Sequence, residues 1–464
     1  MTYHVVLRAG PEDRFDLETA PGERLVMLSI DGAPGSVATA MPTRVWEILG
    51  HYALVPRAAT VDLYRLAAAV YAADLRIPRA DAFDGWSRDI ILHLPVSDLT
   101  AWRTASVALH RLLSFLTGDH WTVEFREGGA YIPPRDPKRW GQLAPFRADA
   151  AALFSGGLDS AVGALDGIAR GRALALVSHN SKGGDAFSSP AQRAVLRELQ
   201  GRLSKTMAHG FRFRVDPPSP VPGVSASETT TRSRSMIFIA LGLLVASGLH
   251  AGGGSLGAPL VVPENGLISL NVPLTRARYG AWSTRTTHPH TLDLLRQVLV
   301  TIGIGTAIES PYRFVTKGEM LIQAVDREIA RNIARATISC SHPNQGRWLP
   351  RDRVVRSDGT HRQHCGTCVP CIIRRAAMSH AGWDDPNDYW FRLPEELDAL
   401  KPDRASDARA FLIALSGRRP ARPATLLRSG PLSVHDEQEL NALLRVYDAG
   451  MDEVEALLVP RAME

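Results

Sequence analysis

The sequence predicts an α/β protein built on a doubly wound parallel sheet, with an α+β accessory region before it and helices after it. Three observations carry that expectation. From residue 146 the pattern runs strand, turn, helix, strand, as AAALF, SGGLDS, AVGALDGIARG and RALALVSHN. Both strands are apolar without interruption, as expected of parallel strands covered on both faces. A helix joining two such strands is a βαβ unit, from which wound sheets are assembled.

Residues 1–145 read as an α+β accessory domain. YHVVLRA and RLVMLSID alternate as strands do, and TVDLYRLAAAVYAADLR (60–76) follows as a helix. IILHLPV (90–96) reads as another strand, and AWRTASVALHRLLSFLTG (101–118) as an amphipathic helix ending on glycine. WTVEFRE closes the region, and the polar, proline-rich PPRDPKRWGQLAP (133–145) marks a boundary. Residues 146–390 form the central domain. There AQRAVLRELQGRLSK, SRSMIFIALGLLVASGL, LDLLRQVLVTIG and GEMLIQAVDREIARNIA read as helices, and FRFRV and LVVP as strands. Residues 391–464 read as a helical extension with an arginine–proline connector.

At 464 residues the chain exceeds one ordinary core. Its 45% hydrophobic and 22% charged residues exclude a disordered or fibrous class. A net charge of +5 suits anionic ligands such as nucleotides without implying nucleic-acid binding. The N-terminus lacks the apolar core of a signal peptide. The longest apolar stretch, 236–249, is short for a bilayer span and reads as a buried helix. A cytoplasmic protein with reduced thiols and no membrane association is expected.

SGGLDS stands where ligands bind in open α/β sheets, beyond a strand's carboxyl end. Gly156 and Gly157 permit a tight turn and close backbone approach. The start of the helix, at Leu158, offers free N–H groups to an anion. Ser155 and Ser160 can add hydrogen bonds, and Asp159 can hold Mg²⁺ on phosphate oxygens. A P-loop needs a lysine that this stretch lacks, and neither GxGxxG nor GxSxG is present.

All four cysteines lie in one window, Cys340, Cys365, Cys368 and Cys371, the last three in HCGTCVPCIIRR. Four soft thiolates at such spacing suit a tetrahedral zinc site; an iron–sulfur cluster is the alternative. His342, His361 and His364 flank the set and read as surface residues.

SGGLDS resembles the pyrophosphate loop of the PP-loop ATP pyrophosphatases, which use ATP to activate a carbonyl or carboxyl carbon. The downstream C…CxxCxxC with IIRR is similar to the QueC-like 7-cyano-7-deazaguanine synthases. Two stretches between extend the likeness. SRSMIFIALG places Arg234 at the family's helix arginine, and PYRFVTKGEML places Thr316, Lys317 and Glu319 in its T-K-x-E segment. Gln192 and Arg193 match its glutamine–arginine pair. The resemblance spans about residues 150–380. It implies a PP-loop, HUP-like fold with a zinc-binding insert, ATP, Mg²⁺ and Zn²⁺ as cofactors, and catalytic roles for Asp159, Arg234 and Lys317.

Lys317 is one of only five lysines in the chain. The polar stretch 261–290 differs from the family and lies where an acyl substrate should meet the adenylate. Glu264, Asn265, Asn271, Arg276 and Arg285 are its candidate substrate contacts, with Arg278, Thr287 and His288 beside them. The extra length resembles the enlarged QueC-like proteins of bacterial anti-phage defence operons. That likeness implies a deazaguanine-type carboxylate as substrate, an amine acceptor on a partner protein, and no direct nucleic-acid binding. A tRNA sulfurtransferase and a non-catalytic nucleotide-binding scaffold are the competing expectations.

Overall fold

Strand pairing is parallel throughout the computed structural model, which describes residues 1–133, 146–180, 188–218, 228, 232–249, 257–276, 285–356, 359–418 and 420–459. The first sheet contains β1 (Thr2–Ala9), β2 (Arg24–Ile30), β3 (Asp89–Val96) and β4 (His120–Glu127), in the order β2-β1-β3-β4. Helices α1 (Val45–His51), α2 (Ala58–Arg76) and α3 (Leu99–Thr117) accompany it. The α+β expectation for this region is therefore corrected to α/β. The edge strand β4 buries every second residue, so its sequence alternates like a half-exposed antiparallel strand. What makes it parallel is α3, which carries the chain back along the sheet between β3 and β4.

The second sheet contains β5 (Ala150–Leu153), β6 (Leu174–Asn180), β7 (Ala208–Arg214), β8 (Leu260–Val261) and β9 (Ile308–Glu309), ordered β7-β6-β5-β8-β9. Its helices are α4 (Leu158–Ala169), α5 (Ser188–Arg202), α6 (Arg234–Gly248), α7 (Gly266–Leu270), α8 (Pro289–Thr301), α9 (Lys317–Ile322) and α10 (Arg327–Ala334). Alternate residues of β5 enter different cores: Ala151 and Leu153 on one face, Ala150 and Ala152 on the other. That two-sided burial is why the strand is apolar along its whole length. The strand order reverses at β5, which lies between β6 and β8. The loop leaving β5 therefore stands at the topological switch point, where an open parallel sheet leaves a crevice.

The two sheets share one core. Helix α2 lies along α6 and α3 along α8, and apolar residues from Tyr3 to Ile308 form a continuous cluster. The contact is pinned by buried charge. Asp74 of α2 accepts from the backbone N–H groups of Arg232 and Ser233 at the start of α6, and also pairs with Arg79 and Arg88. Most of the proline-rich stretch at 133–145 lies outside the described residues.

The stretch 318–334, expected as one helix, is two. Asp326 caps α10 by accepting from Ile329 N–H at 2.8 Å, which favours a fresh start over continuation. Beyond them α11 (Val369–His380), α12 (Pro402–Leu415) and α13 (Glu437–Leu458) share a third core with the four cysteines. No helix among the described residues is long and apolar enough to cross a membrane; the apolar run at 236–249 is buried inside α6 and its end.

Candidate functional site

Gly156 holds φ at +85°, a left-handed value that favours glycine, and this lets the chain leave β5 and turn directly into α4. Gly157 is the N-cap and offers no side chain, so the first turn of α4 has no side-chain cap. The serines organise the turn. Ser155 Oγ accepts from Gly157 N–H at 3.2 Å, and Ser160 Oγ donates to Gly157 O at 2.9 Å.

Asp159, in the first turn of α4, meets residues from two distant segments. Lys317 Nζ lies 2.8 Å from its Oδ1, and Asn265 Nδ2 donates to its Oδ2 at 2.6 Å. Asn265 follows β8, on the opposite side of the crevice. Its own Oδ1 caps α7 by accepting from Ile268 N–H. Lys317 opens α9 behind Thr316, which forms a capping box with Glu319. Lys317 and Asn265 are both buried. An ammonium so enclosed needs a carboxylate or another anion beside it.

Glu264 stands next to Asn265. Thr287 Oγ1 donates to it, and Ser269 Oγ donates to Thr287 at 3.1 Å. Part of Glu264 reaches solvent, but its carboxyl group is enclosed. Burial pushes that carboxyl above its ordinary value, and the nearby Asp159 charge adds to the rise.

The remaining candidates are placed elsewhere. Asn271 takes a left-handed conformation (φ +46°) as the C-cap of α7, and Arg276 is exposed. Arg285 lies over the Phe115 ring, 4.4 Å from its centroid, and donates to Phe115 O. Its guanidinium thus packs on α3. Arg234 is exposed at the start of α6. His288 is buried, caps α8 and is held down to about 3, chiefly by burial. Arg278 lies outside the described residues.

Gln192 does reach the loop. Buried on α5, it donates from Nε2 to Ser155 O at 3.2 Å, whereas Arg193 points outward to Ser189. One site residue went unread in the sequence. The backbone N–H of Ile338, two residues before Cys340, donates to Gly156 O at 3.0 Å. This strap ties the cysteine region to the glycine loop, and a backbone bond of that kind leaves no side-chain signature.

The four cysteine sulfurs lie within 4.8 Å of one another, all buried and none in a disulfide. That is the separation expected of four thiolates around one tetrahedral ion, and the group is able to hold a metal such as zinc. Backbone N–H groups of Cys368 (3.3 Å) and Thr367 (3.4 Å) point at Cys365 Sγ. Hydrogen bonds from the Cys340, Cys368 and Cys371 thiols hold Cys365 well below the usual thiol range. His342 and His361 are exposed, as expected. His364 is not: it is buried, accepts from Ser339 N–H at 3.2 Å, and is held neutral by burial and by Arg374. Arg374 is buried below it and bonds Thr337 Oγ1 and Ala334 O, bracing the strand of chain that carries Cys340.

Compared with known proteins, the chain matches no family model, no curated protein and no solved structure.

Proposed function

We propose that this chain is an ATP-dependent ligase of the QueC-like, PP-loop type, acting on a 7-carboxy-7-deazaguanine-type carboxylate. One observation carries the reading: Asp159 of the glycine loop and Lys317 of the T-K-x-E segment, 158 positions apart, meet at 2.8 Å at the switch point of a parallel sheet. These are two of the ordered elements on which the family resemblance rests. A substrate carboxylate oxygen would attack the α-phosphorus of ATP and displace pyrophosphate. An amine would then attack the acyl carbon of the mixed anhydride and displace AMP.

The chain's own groups suit the first step. The uncapped N–H groups of α4, with Ser155 and Ser160, would bind phosphate oxygens. Lys317 would stabilise charge gathering on the phosphoryl oxygens. Asp159 Oδ2 accepts from both the side chain and, at 3.4 Å, the backbone N–H of Asn265, whereas Oδ1 meets Lys317 and keeps a lone pair for Mg²⁺, which when bound supplies charge neutralisation on the phosphates. The cysteines would hold a structural Zn²⁺ bracing the strap against Gly156. Because all four cysteines stand in one cluster, none remains for the sulfur relay of a tRNA sulfurtransferase. The amine belongs to ammonia or, in a cytoplasmic anti-phage role, to a partner protein.

The test is pyrophosphate release by the purified chain given ATP and 7-carboxy-7-deazaguanine. Release in the wild type, lost in both Asp159→Ala and Lys317→Ala, supports the reading; unimpaired turnover in both variants removes it. Intact-mass measurement of neighbouring gene products after coexpression reads the acceptor directly.

A further inference from the structure

Helix α13 belongs to the C-terminal extension, well beyond the segments that resemble a known family. It nevertheless packs against the segment that delivers Lys317. Glu453 of α13 is buried, and its carboxylate accepts from Thr316 Oγ1 and, at 3.2 Å, from Gly318 N–H. Those two residues bracket Lys317. The approach is close enough to require glycine at 318, where an added Cβ would stand 2.5 Å from Glu453 Oε1. Three more contacts join the same helix to this segment: Arg445 of α13 binds Glu319 and Phe314 O, and Arg313 binds Glu439 of α13.

A buried carboxylate is costly unless its hydrogen bonds are satisfied, and an apolar residue could fill the same space at lower cost. What it does here is hold both flanks of one lysine. Lys317 has a flexible four-carbon stem, so the direction of its ammonium depends on the backbone that carries it. We infer that Glu453 is a positioning residue for Lys317, setting the first turn of α9 so that the ammonium faces Asp159 and any bound phosphate. This rests on reading the Asp159–Lys317 pair as part of an ATP site. It also gives the C-terminal helix a part in the reaction rather than only in packing.

The test compares full-length wild type with Glu453→Ala, Glu453→Gln and Leu457→Ala. Leu457 lies on the same helix in the third core, so its truncation loosens α13 without removing the carboxylate. Pyrophosphate release is resolved into kcat and KM for ATP, and labelling of Lys317 by an amine-reactive ester is followed by peptide mass spectrometry. Glu453→Ala should lower kcat at least about tenfold with KM changed less than about twofold, as expected for a misplaced catalytic group. It should also label Lys317 several times faster. Glu453→Gln, whose amide oxygen still accepts, should recover much of both, and Leu457→Ala should move neither. Equal behaviour of Glu453→Ala and Leu457→Ala on both readouts overturns the inference. A wild type that releases no pyrophosphate defeats the ATP reading alone, because the labelling rates still decide the positioning.

Discussion

Asn265 donates to Asp159 Oδ2 at 2.6 Å and so joins the loop after β8 to the loop after β5, across the point where strand order reverses. The same side chain caps α7 through its oxygen. The two roles can be separated. Aspartate caps a helix as well as asparagine does but cannot donate. Asn265→Asp should therefore keep α7 and set two carboxylates face to face. One of them should then bind a proton more tightly. Pyrophosphate release should fall about tenfold or more at pH 8 and recover as the pH drops toward 6, where the shared proton restores the bridge. A pH–rate profile parallel to that of the wild type would contradict this.

Metal content follows from the cysteine geometry. One equivalent of a divalent metal per chain is expected by elemental analysis, falling well below one in Cys371→Ser. Gly366 provides a gentler probe. It sits at φ +85°, and an added Cβ would lie 2.3 Å from Phe391 O. Gly366→Ala should cost roughly 1–3 kcal/mol of backbone strain and reduce metal retention during dialysis against a chelator. Full retention would show that the knuckle tolerates rearrangement.

The buried charges between the sheets give a stability prediction. Asp119 receives Arg88 at 2.6 Å and Arg79 at 2.7 Å, all three side chains being buried. Asp119→Ala would leave two guanidinium groups with one fewer carboxylate. A loss of about 3–5 kcal/mol is expected, read by denaturant unfolding.

Asp119 also sets an acid limit. Burial alone would raise its carboxyl, but Arg88 and then Arg79 outweigh that and hold it below the ordinary range. Its contribution is therefore complete above the unfolded carboxylate value and fades as pH falls through the lower folded one. Acid unfolding of Asp119→Asn should lack that component of the wild-type titration.

Gln192 supplies the last prediction. Its amide holds Ser155 O from a neighbouring helix, while its Oε1 has no partner among the described residues. Gln192→Ala should weaken ATP binding several-fold by loosening the turn, at a stability cost of about 1 kcal/mol. Calorimetric titration with ATP checks it; unchanged affinity would confine Gln192 to packing.

Much of the site was legible residue by residue. Gly156 was readable because a left-handed turn favours glycine. The cysteines were readable because four soft ligands in one window point to a shared metal ion. The apolar strands announced a sheet covered on both faces. The positions of Arg285 and Asn271 were not legible, because polar residues in one loop look alike until packing lays one on an aromatic ring and sets another at a helix end. The parallel pairing of the first sheet was hidden because β4 alternates like an exposed strand.

What the sequence determined by itself was local: the strand–glycine–helix turn, the metal-competent thiol set and the apolar period of each element. These follow from backbone geometry and ligand chemistry within a few residues. Tertiary structure decided the rest. It put β5 at the switch point, brought Asp159, Asn265 and Lys317 together, left Arg234 exposed and set Glu453 behind Lys317. Such meetings depend on strand order and helix packing, where many weak contacts spread along the whole chain are summed, and no short stretch of sequence carries that sum.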